Sequence, residues 1–535
     1  MQTDPTDAAA DQARLVAALA SPVAFGEGVD RVEMIETHIS YVFLTGRYAY
    51  KIKKPVALGF LDFTTLAARR FFCEQELRLN RRLAPEIYLD VVTITGSLEH
   101  PVVGGSGIAL EYAVKMREFP QCALASRMLA RGELERTHID RLAAEVAAFH
   151  GRIDVAGAGG PYALSAEILR RANDNFVQVR PLLEDDAERA AVDALAGWTQ
   201  REHALQAPVF EARRRDGFVR ECHGDLHLGN IAIIDGGIAI FDCIEFNDHL
   251  RWIDVMSEVA FAVMDMQDRG RPDLAYRFLN RWLESTGDYE GLAVLRFYLV
   301  YRAMVRAMVA RLRSAQLEAG AARAALIAEY EGYVALARAD ASVPRPAIVI
   351  THGLSGSGKT TASEALLERA AAIRVRTDVE RKRLRGIAAG SASGSRIERG
   401  LYSAQMTEAT YGRVLALARV IANAGSIAIV DGAFLRRWQR DLFRDLAGEL
   451  GIPFAILWFD ASEATLRERV AARRSEGTDA SEADIPVLES QLRTREPLAA
   501  DELAFAVRYD AELPGGQAYD ASAWRPLLAR LGRAP

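Results

Sequence analysis

Cysteine is scarce in this sequence, with four among 535 residues, and no two of them form a C-x-x-C pair or a spacing typical of a metal site. This absence indicates a reducing compartment. Long apolar runs are also lacking, and the opening stretch MQTDPTDAAADQ is polar and acidic. The sequence therefore predicts neither a membrane span nor a signal peptide, and the expected location is the cytoplasm.

A basic surface of the kind that nucleic-acid binders carry is missing as well. The formal net charge is −6, and the arginine-containing stretches are short and dispersed. No nucleic-acid partner is expected. Half of the residues are hydrophobic, which is ordinary globular composition, and the length predicts two or three domains. The sequence leaves the oligomeric state open.

The domain division rests on a change of pattern at ADASVPRP, where two prolines in three residues end a long helical region. Before it the chain is β-rich and then helical; after it strands alternate with helices, which is typical of a parallel sheet. The predicted parts are a leading helix and tail (1–24), a β-rich lobe (25–120), a helical lobe (121–338), a linker (339–346) and an α/β domain (347–535).

The first motif is HGDLHLGN, followed by a strand pair that ends in IFD. Asp225 is placed to accept the proton of an acceptor hydroxyl. Asn230 offers a neutral oxygen and Asp242 a carboxylate, and Mg²⁺ prefers hard oxygen ligands. We interpret His223 as a residue that holds the loop together and His227 as merely exposed.

The cation that such a site needs is supplied upstream by YAYKIKKP, which places Lys51 in a strand. Lys53 points to the same face and stays a second candidate. The partner carboxylate lies on the following helix, where Glu76 is preferred and Glu74 is the alternate. The alternative to a catalytic site is a purely structural role, in which the loop aspartate forms an Asx-turn and the strand lysine is exposed to solvent.

Residues 25 to about 335 resemble the aminoglycoside phosphotransferase family through YAYK, the glutamate helix, HGDLHLGN and IFD. The resemblance implies a two-lobed, α+β protein-kinase-like fold with ATP in the cleft, Asp225 as base and Asn230 with Asp242 on magnesium. VKMREFP (114–120) would then lie at the adenine hinge. The sequence departs from the kinase pattern in having THISYVFLTG where a glycine-rich G-x-G-x-x-G loop would stand.

The second motif, GLSGSGKT, is a complete G-x-x-x-x-G-K-[ST] between a strand and a helix. Its backbone N–H groups and helix N-terminus favour phosphate oxygens. Lys359 would reach the β- and γ-phosphates, and Thr360 would hold Mg²⁺. The predicted nucleotide-binding residues are Gly353, Ser355, Gly356, Ser357, Gly358, Lys359, Thr360 and Thr361.

Further residues of this half suggest a kinase rather than a remodelling ATPase. SIAIVDGAF ends a strand in Asp431, a predicted metal ligand, without the following glutamate that would activate water. IRVRTDVERKRL puts Asp378 at the end of another strand, where it could act as a base, as the N-cap of a helix, T-D-x-E being a good capping sequence, or as both. Arg469 and Arg473 lie one turn apart and could clamp the phosphoryl group, or form a solvated helix face.

Residues 347 to about 510 are similar to the group of P-loop predicted kinases that includes gluconate kinase and the zeta toxins. We interpret GIAAGSASGSRIERG (386–400) as a mobile substrate loop. The two halves together predict a tandem ATP- and Mg²⁺-dependent phosphotransferase acting on hydroxyl groups of small molecules. The alternatives are one active P-loop kinase or ATPase regulated by a nucleotide-sensing kinase-like half, or a toxin-like or nucleic-acid-end kinase, which the acidic net charge disfavours.

Overall fold

The computed structural model of the chain describes residues 5–58, 61–157, 159–387, 404–476, 484–512 and 518–532. They form two compact units, one of residues 1–168 and 210–265 and one of residues 169–209 and 266–535. The predicted five-part division follows chain order and stays a prediction. Packing instead assigns part of the predicted helical lobe to the unit that holds the α/β domain.

The β-rich lobe begins with a helix and then forms a six-stranded antiparallel sheet with the order β1-β2-β3-β8-β6-β7. Its elements are α1 (Pro5–Leu19), β1 (Glu33–Glu36), β2 (Ser40–Leu44), β3 (Tyr48–Lys53), β4 (Ala57–Leu58), β5 (Leu61–Asp62), α2 (Leu66–Asn80), β6 (Tyr88–Gly96), β7 (Pro101–Val103) and β8 (Glu111–Arg117). The alternating pattern around T-G-R gives the expected β2–β3 hairpin, and the residues before it add strand β1. Helix α2 begins at the Thr65 cap, whose side chain accepts from the Ala68 N–H.

The helical lobe carries short strands that shape the first candidate site. Its elements are α3 (Ala125–Ala130), α4 (Arg136–Arg152), α5 (Ser165–Val179), α6 (Asp186–Arg215), β9 (Val219–Glu221), β10 (Ile231–Ile234), β11 (Gly237–Ile240), α7 (Asp248–Arg251), β12 (Trp252–Asp254), α8 (Val255–Asp268), α9 (Pro272–Thr286), α10 (Leu292–Ala315) and α11 (Ala321–Asp340). Proline begins α9 and Gly287, at φ +78°, ends it, as the two residue types favour. Across the part of the chain that the structure describes, no helix is long and apolar enough for a bilayer.

The last part is a five-stranded parallel sheet in the order β14-β15-β13-β16-β17. Its elements are β13 (Ala347–His352), α12 (Lys359–Ala370), β14 (Ile373–Arg376), α13 (Thr377–Arg383), α14 (Ala404–Asn423), β15 (Ile427–Asp431), α15 (Arg437–Leu450), β16 (Phe454–Asp460), α16 (Glu463–Glu476), α17 (Ile485–Thr494), α18 (Ala500–Leu503), β17 (Ala506–Asp510) and α19 (Arg525–Arg530). Every residue of β13 is buried, as a central strand covered on both faces requires. The predicted α/β parallel sheet is confirmed.

Candidate active sites

In the first unit, the β10–β11 hairpin brings the two predicted metal ligands to one end. Its register pairs Ile231 with Ile240, so Asn230 and Asp242 lie just beyond the same paired ends. The backbone N–H of Phe241 donates to the carbonyl of Asn230 at 3.0 Å. Asp242 has a φ of +64°, an uncommon conformation for a residue other than glycine, and such strain concentrates at functional positions.

Asp225 lies directly beside Asn230. The Asn230 amide nitrogen donates to the Asp225 carboxylate at 2.9 Å and to the Asp225 carbonyl at 3.1 Å. The amide oxygen is therefore the atom of Asn230 that remains to accept a cation. The interpretation of His227 as merely exposed is wrong: its Nδ1 accepts from the Gly229 N–H, and its Nε2 lies 3.3 Å from the Asp225 carboxylate.

Two buried side chains, those of His223 and Glu258, stabilise the HGDLHLGN loop through hydrogen bonds to its backbone. His223 donates from Nε2 to the Phe241 carbonyl at 2.9 Å, and its Nδ1 accepts from the Asp225 N–H. Burial lowers the pKa of His223, which keeps the ring neutral and able to accept at Nδ1. Glu258 accepts from the backbone N–H groups of His223 at 2.6 Å and Gly224 at 2.7 Å. Glu258 lies outside the motifs from which the site was predicted.

Glycine is required in the H-G-D sequence for two reasons. Gly224 has a φ of +89°, and a Cβ there would lie 2.8 Å from the Leu250 carbonyl oxygen. An L side chain at this position would meet both backbone strain and a main-chain clash. The turn that presents Asp225 therefore depends on this residue.

Lys51 links strand β3 to the predicted metal ligand Asp242. Its Nζ lies 2.6 Å from the Asp242 carboxylate and 2.9 Å from that of Glu76. Burial acts to lower the pKa of Lys51, but Asp242 and Glu76 outweigh it and raise the pKa well above its usual value. Of the two helix glutamates, Glu76 is the one in contact, whereas Glu74 is exposed and pairs with Arg70.

Lys53 forms a second ion-pair cluster behind Lys51. It is fully buried and contacts Glu76 at 2.8 Å and the buried Glu245. Glu245 comes three residues after Asp242, so this contact ties the strained segment to strand β3. The Cys243 N–H donates to the Asn80 side chain at 2.9 Å and adds a second tie. Glu245 was not identified from the sequence.

We expect Lys53→Met to lower the free energy of unfolding by about 3–5 kcal/mol, because it leaves the Glu245 carboxylate buried without its cation. The double variant Lys53→Met/Glu245→Met should recover most of this loss, since Glu76 retains Lys51. Urea unfolding followed by circular dichroism measures both. Equal destabilisation in the single and double variants would contradict the pairing.

In the second unit, the phosphate loop lies between β13 and α12. Gly356 has a φ of +86°, and a Cβ there would lie 2.8 Å from the Leu466 carbonyl oxygen. Lys359 donates to the carbonyl of Leu354 at 2.7 Å, so its side chain folds back onto the loop. The predicted residues that line the adjoining cleft are Ser355, Gly356, Gly358, Lys359, Thr360 and Thr361. Gly353 and Ser357 instead shape the loop, with Gly353 N–H bonded to Ala433 O and Ser357 Oγ to Leu354 O.

The residues opposite the loop are the two predicted aspartates. Asp431 ends β15, is 5% exposed, and accepts from the Ser363 hydroxyl at 3.2 Å. The N-cap interpretation of Asp378 is wrong, because Arg376 occupies the cap position of α13. The Asp378 carboxylate accepts from Arg381 at 2.8 Å, and Asp378 lines the cleft.

The cleft has a volume of about 940 Å³ and a surplus of positive charge along its lining. The cations are Lys359, Arg376, Arg381, Arg436 and Arg469, and the anions are Asp378, Glu408 and Asp431. Arg469 donates to the Ala511 carbonyl at 2.7 Å, which fixes its side chain beside the loop. The side chain of Arg473 and most of the predicted substrate loop 386–400 lie outside the described residues. Gln491, which no sequence motif indicated, accepts from the Ser355 N–H at 2.9 Å through its side chain.

His352 makes the base of the phosphate loop sensitive to acid. Its ring donates from Nδ1 to the Phe434 carbonyl, and burial lowers its pKa to about 4. Because the unfolded ring titrates near ~6.5, the stability that the neutral ring contributes is lost as pH falls from that value towards 4. At pH 5 we expect a loss of about 2 kcal/mol relative to pH 7.

The matched variant is His352→Asn, which keeps a donor for Phe434 but does not titrate. We expect its unfolding free energy, measured in urea, to fall less than the wild type's between pH 7 and pH 5. An equal fall in the two proteins would show that other groups cause the acid sensitivity.

Comparisons with known proteins match two separate segments of the chain. Residues 122–298 match the model of the Phosphotransferase enzyme family, and residues 348–498 match the AAA domain model. An uncharacterized protein of Mycobacterium tuberculosis is 29% identical over 456 residues, which is 84% of this chain and 88% of that protein. An uncharacterized protein of Mycobacterium bovis matches to the same extent.

Two solved structures are similar to parts of the chain. A choline/ethanolamine kinase family protein from Mesorhizobium loti has 13% identity and a TM-score of 0.39, over 63% of this chain and 95% of that one. A gluconokinase from Sinorhizobium meliloti has 21% identity and a TM-score of 0.25, over 35% of this chain and 93% of that one.

The two family matches fall on the two segments that carry the motifs. The chain carries an aminoglycoside-phosphotransferase-like segment followed by a P-loop kinase-like segment, as the sequence motifs predicted. It is a phosphotransferase of the kinase type.

Proposed function

We propose that the protein is a tandem enzyme, in which each half transfers the γ-phosphoryl group of ATP to a hydroxyl of a small molecule. One observation carries the proposal: each compact unit contains its own lysine, oxygen-donor pair and aspartate near one another. In the first unit these are Lys51, Asn230 with Asp242, and Asp225. The second unit has Lys359, Thr360 with Asp431, and Asp378 around one cleft.

The oxygen donors of both sites suit magnesium. Asn230 would offer its amide oxygen and Asp242 its carboxylate, while Thr360 would offer a hydroxyl and Asp431 a carboxylate. All four are hard oxygen ligands, which Mg²⁺ prefers. When bound, the ion would offset the negative charge that the nucleotide phosphates carry.

In the first site, Asp225 is the proton acceptor. Its carboxylate would take the proton of the acceptor hydroxyl as that oxygen forms a bond to the γ-phosphorus. The bond from phosphorus to the bridging oxygen breaks, and ADP leaves with the negative charge. Asn230 and His227 orient the carboxylate through the contacts described above, and Lys51 would neutralise phosphate charge.

In the second site, Asp378 takes the corresponding role of proton acceptor. Arg381 lies at 2.8 Å and would keep its carboxylate ionised and oriented. Arg469 lies close to Gly358 and would stabilise charge on the transferring group. The cations of the cleft suit a polyanionic nucleotide, and the acceptors are small hydroxylated molecules rather than nucleic acids.

A second candidate function is a nucleotide sensor in the first half that regulates the second. Two observations favour it. The turn between β1 and β2, residues 37–39, contains no glycine to cover phosphates. Lys51 also contacts the metal-ligand residue Asp242 itself. A sensor, however, has no use for the Asp225 base.

The test is to incubate the full-length protein with ATP, magnesium and a metabolite extract, and to identify phosphorylated products by mass spectrometry. We expect at least two new phosphorylated compounds, both absent when EDTA replaces magnesium. A single product, or none beyond ADP, would contradict the tandem proposal.

A further inference from the structure

The edge of the parallel sheet is covered by a helix from the segment that precedes it. Strand β14 pairs only with β15 among the described strands, so its other edge needs partners. Asn280 of α9, 3% exposed, donates to the Ala372 carbonyl at 2.8 Å and accepts from the Arg374 N–H at 2.6 Å. The Tyr289 hydroxyl bonds to the Arg374 carbonyl at 3.4 Å. These side chains replace a neighbouring strand.

The same helix also holds α12, the helix that begins at the phosphate loop. Arg277, 6% exposed, pairs with Glu364 at 2.7 Å and with Glu368 at 2.8 Å, and Arg281 pairs with Glu364 at 2.9 Å. Burial alone would raise the pKa of Glu364, but Arg374, Arg281 and Arg277 outweigh it and lower the pKa. Ion pairs this buried are costly to separate, so α9 and α12 act as one body.

Arg374 links α9 to the proposed metal ligands. It is 2% exposed, and its guanidinium group lies 3.6 Å from the Glu284 carboxylate of α9. It donates to the backbone carbonyl of Thr360 at 3.0 Å and to the Ser363 hydroxyl at 3.1 Å. Ser363 in turn donates to the Asp431 carboxylate at 3.2 Å. A relay therefore runs from Glu284 to both Thr360 and Asp431.

We propose that helix α9 is a positioning element of the second site, which holds Thr360 and Asp431 in place through Glu284 and Arg374. The inference rests on the proposed magnesium-dependent function of that site. It gives a physical reason why the two segments occur in a single polypeptide. The P-loop site is incomplete without a helix that belongs to the phosphotransferase-like segment. Neither Glu284 nor Arg374 would touch the nucleotide; both act through the two metal ligands.

The experiment compares wild type and Arg374→Lys in the full-length protein, by measuring binding of a fluorescent ATP analogue while magnesium is varied. The binding that Lys359→Ala removes is assigned to the second site. We expect Arg374→Lys to raise the magnesium concentration for half-maximal effect by about tenfold, because a single ammonium group cannot contact Thr360 and Ser363 while a second nitrogen faces Glu284, as the guanidinium group does. Binding without magnesium should be unchanged. The matched control is Arg369→Lys, at an exposed position of α12.

A second variant keeps the proposal testable if Arg374→Lys fails to fold, as thermal unfolding would reveal. Glu284→Gln retains the side-chain size and should shift the magnesium requirement in the same direction by about threefold, since it removes the charge 3.6 Å from Arg374 while Glu364 remains 3.5 Å from the same guanidinium group. If Glu284→Gln, and Arg374→Lys where it folds, show the magnesium dependence of the wild type, the positioning role is wrong. The proposed function of the site is not affected by that result. If the wild type shows no magnesium-dependent binding that Lys359→Ala removes, the proposed function of the site fails, and the relay falls with it.

Discussion

Replacing Asp225 by asparagine is expected to lower kcat/KM for the first site's acceptor by about 10²–10⁴-fold. The amide has nearly the shape of the carboxylate but cannot accept a proton from the acceptor hydroxyl. The buried contacts of Glu258 and His223 beneath the loop are unchanged, so the loop should keep its conformation. The product of the second site should form at the wild-type rate.

The measurement is the rate of each phosphorylated product by mass spectrometry, at saturating ATP and magnesium. Asp90→Asn makes the same chemical change at an exposed position of the sheet and should alter neither product. If Asp225→Asn leaves both products unchanged while nucleotide still binds to the first unit, the first half is a sensor and the tandem proposal is wrong.

Residues within one contiguous motif could be placed from the sequence, because short loops fix local geometry. Asp225 and Asn230 are five residues apart in one loop, and the structure brings them to 2.9 Å. Asp242 follows from the register of the hairpin, which the turn residues at 235–237 set. Helical spacing likewise separates Glu76, on the sheet side of α2, from the exposed Glu74.

Residues that act across long sequence separations could not be found in this way. Glu245 and Glu258 look like ordinary carboxylates in the sequence, and only the packing shows that one holds Lys53 and the other the H-G-D turn. The buried Asp254 pairs with Arg213 at 2.7 Å. No local pattern distinguishes it from Glu258, four residues later.

The grouping of elements into units is the other feature that the sequence does not carry. The prolines near residue 345 indicate where α11 must end, and β13 begins at Ala347 as predicted. They give no information about which surface α9 covers. The surface that α9 covers depends on Asn280 and Arg277, whose partners lie 85 or more residues away in the sequence. Side chains of these types are usually exposed, so their burial is not expected from the sequence.

Replacing Lys359 by alanine is expected to reduce transfer at the second site by about 10²–10³-fold, because it removes a cation from the β- and γ-phosphates in a partly buried cleft. The loop itself should persist, since Gly356 and Gly358 keep their backbone conformations, and the Leu354 carbonyl and Ser357 hydroxyl that accept from Lys359 also bond to each other. The first site's product should be unaffected. Arg369→Ala, at an exposed position of the same helix, is the control.

The pair of variants decides between two sites and one. Under the tandem proposal, Asp225→Asn and Lys359→Ala each remove a different product, and the double variant removes both. If Lys359→Ala alone abolishes every product, the phosphate loop serves the only catalytic site, and the first unit acts by regulating it. If Lys359→Ala abolishes none, the glycine loop does not hold the reacting nucleotide, because a P-loop that had lost its lysine could not neutralise the charge that builds up during transfer.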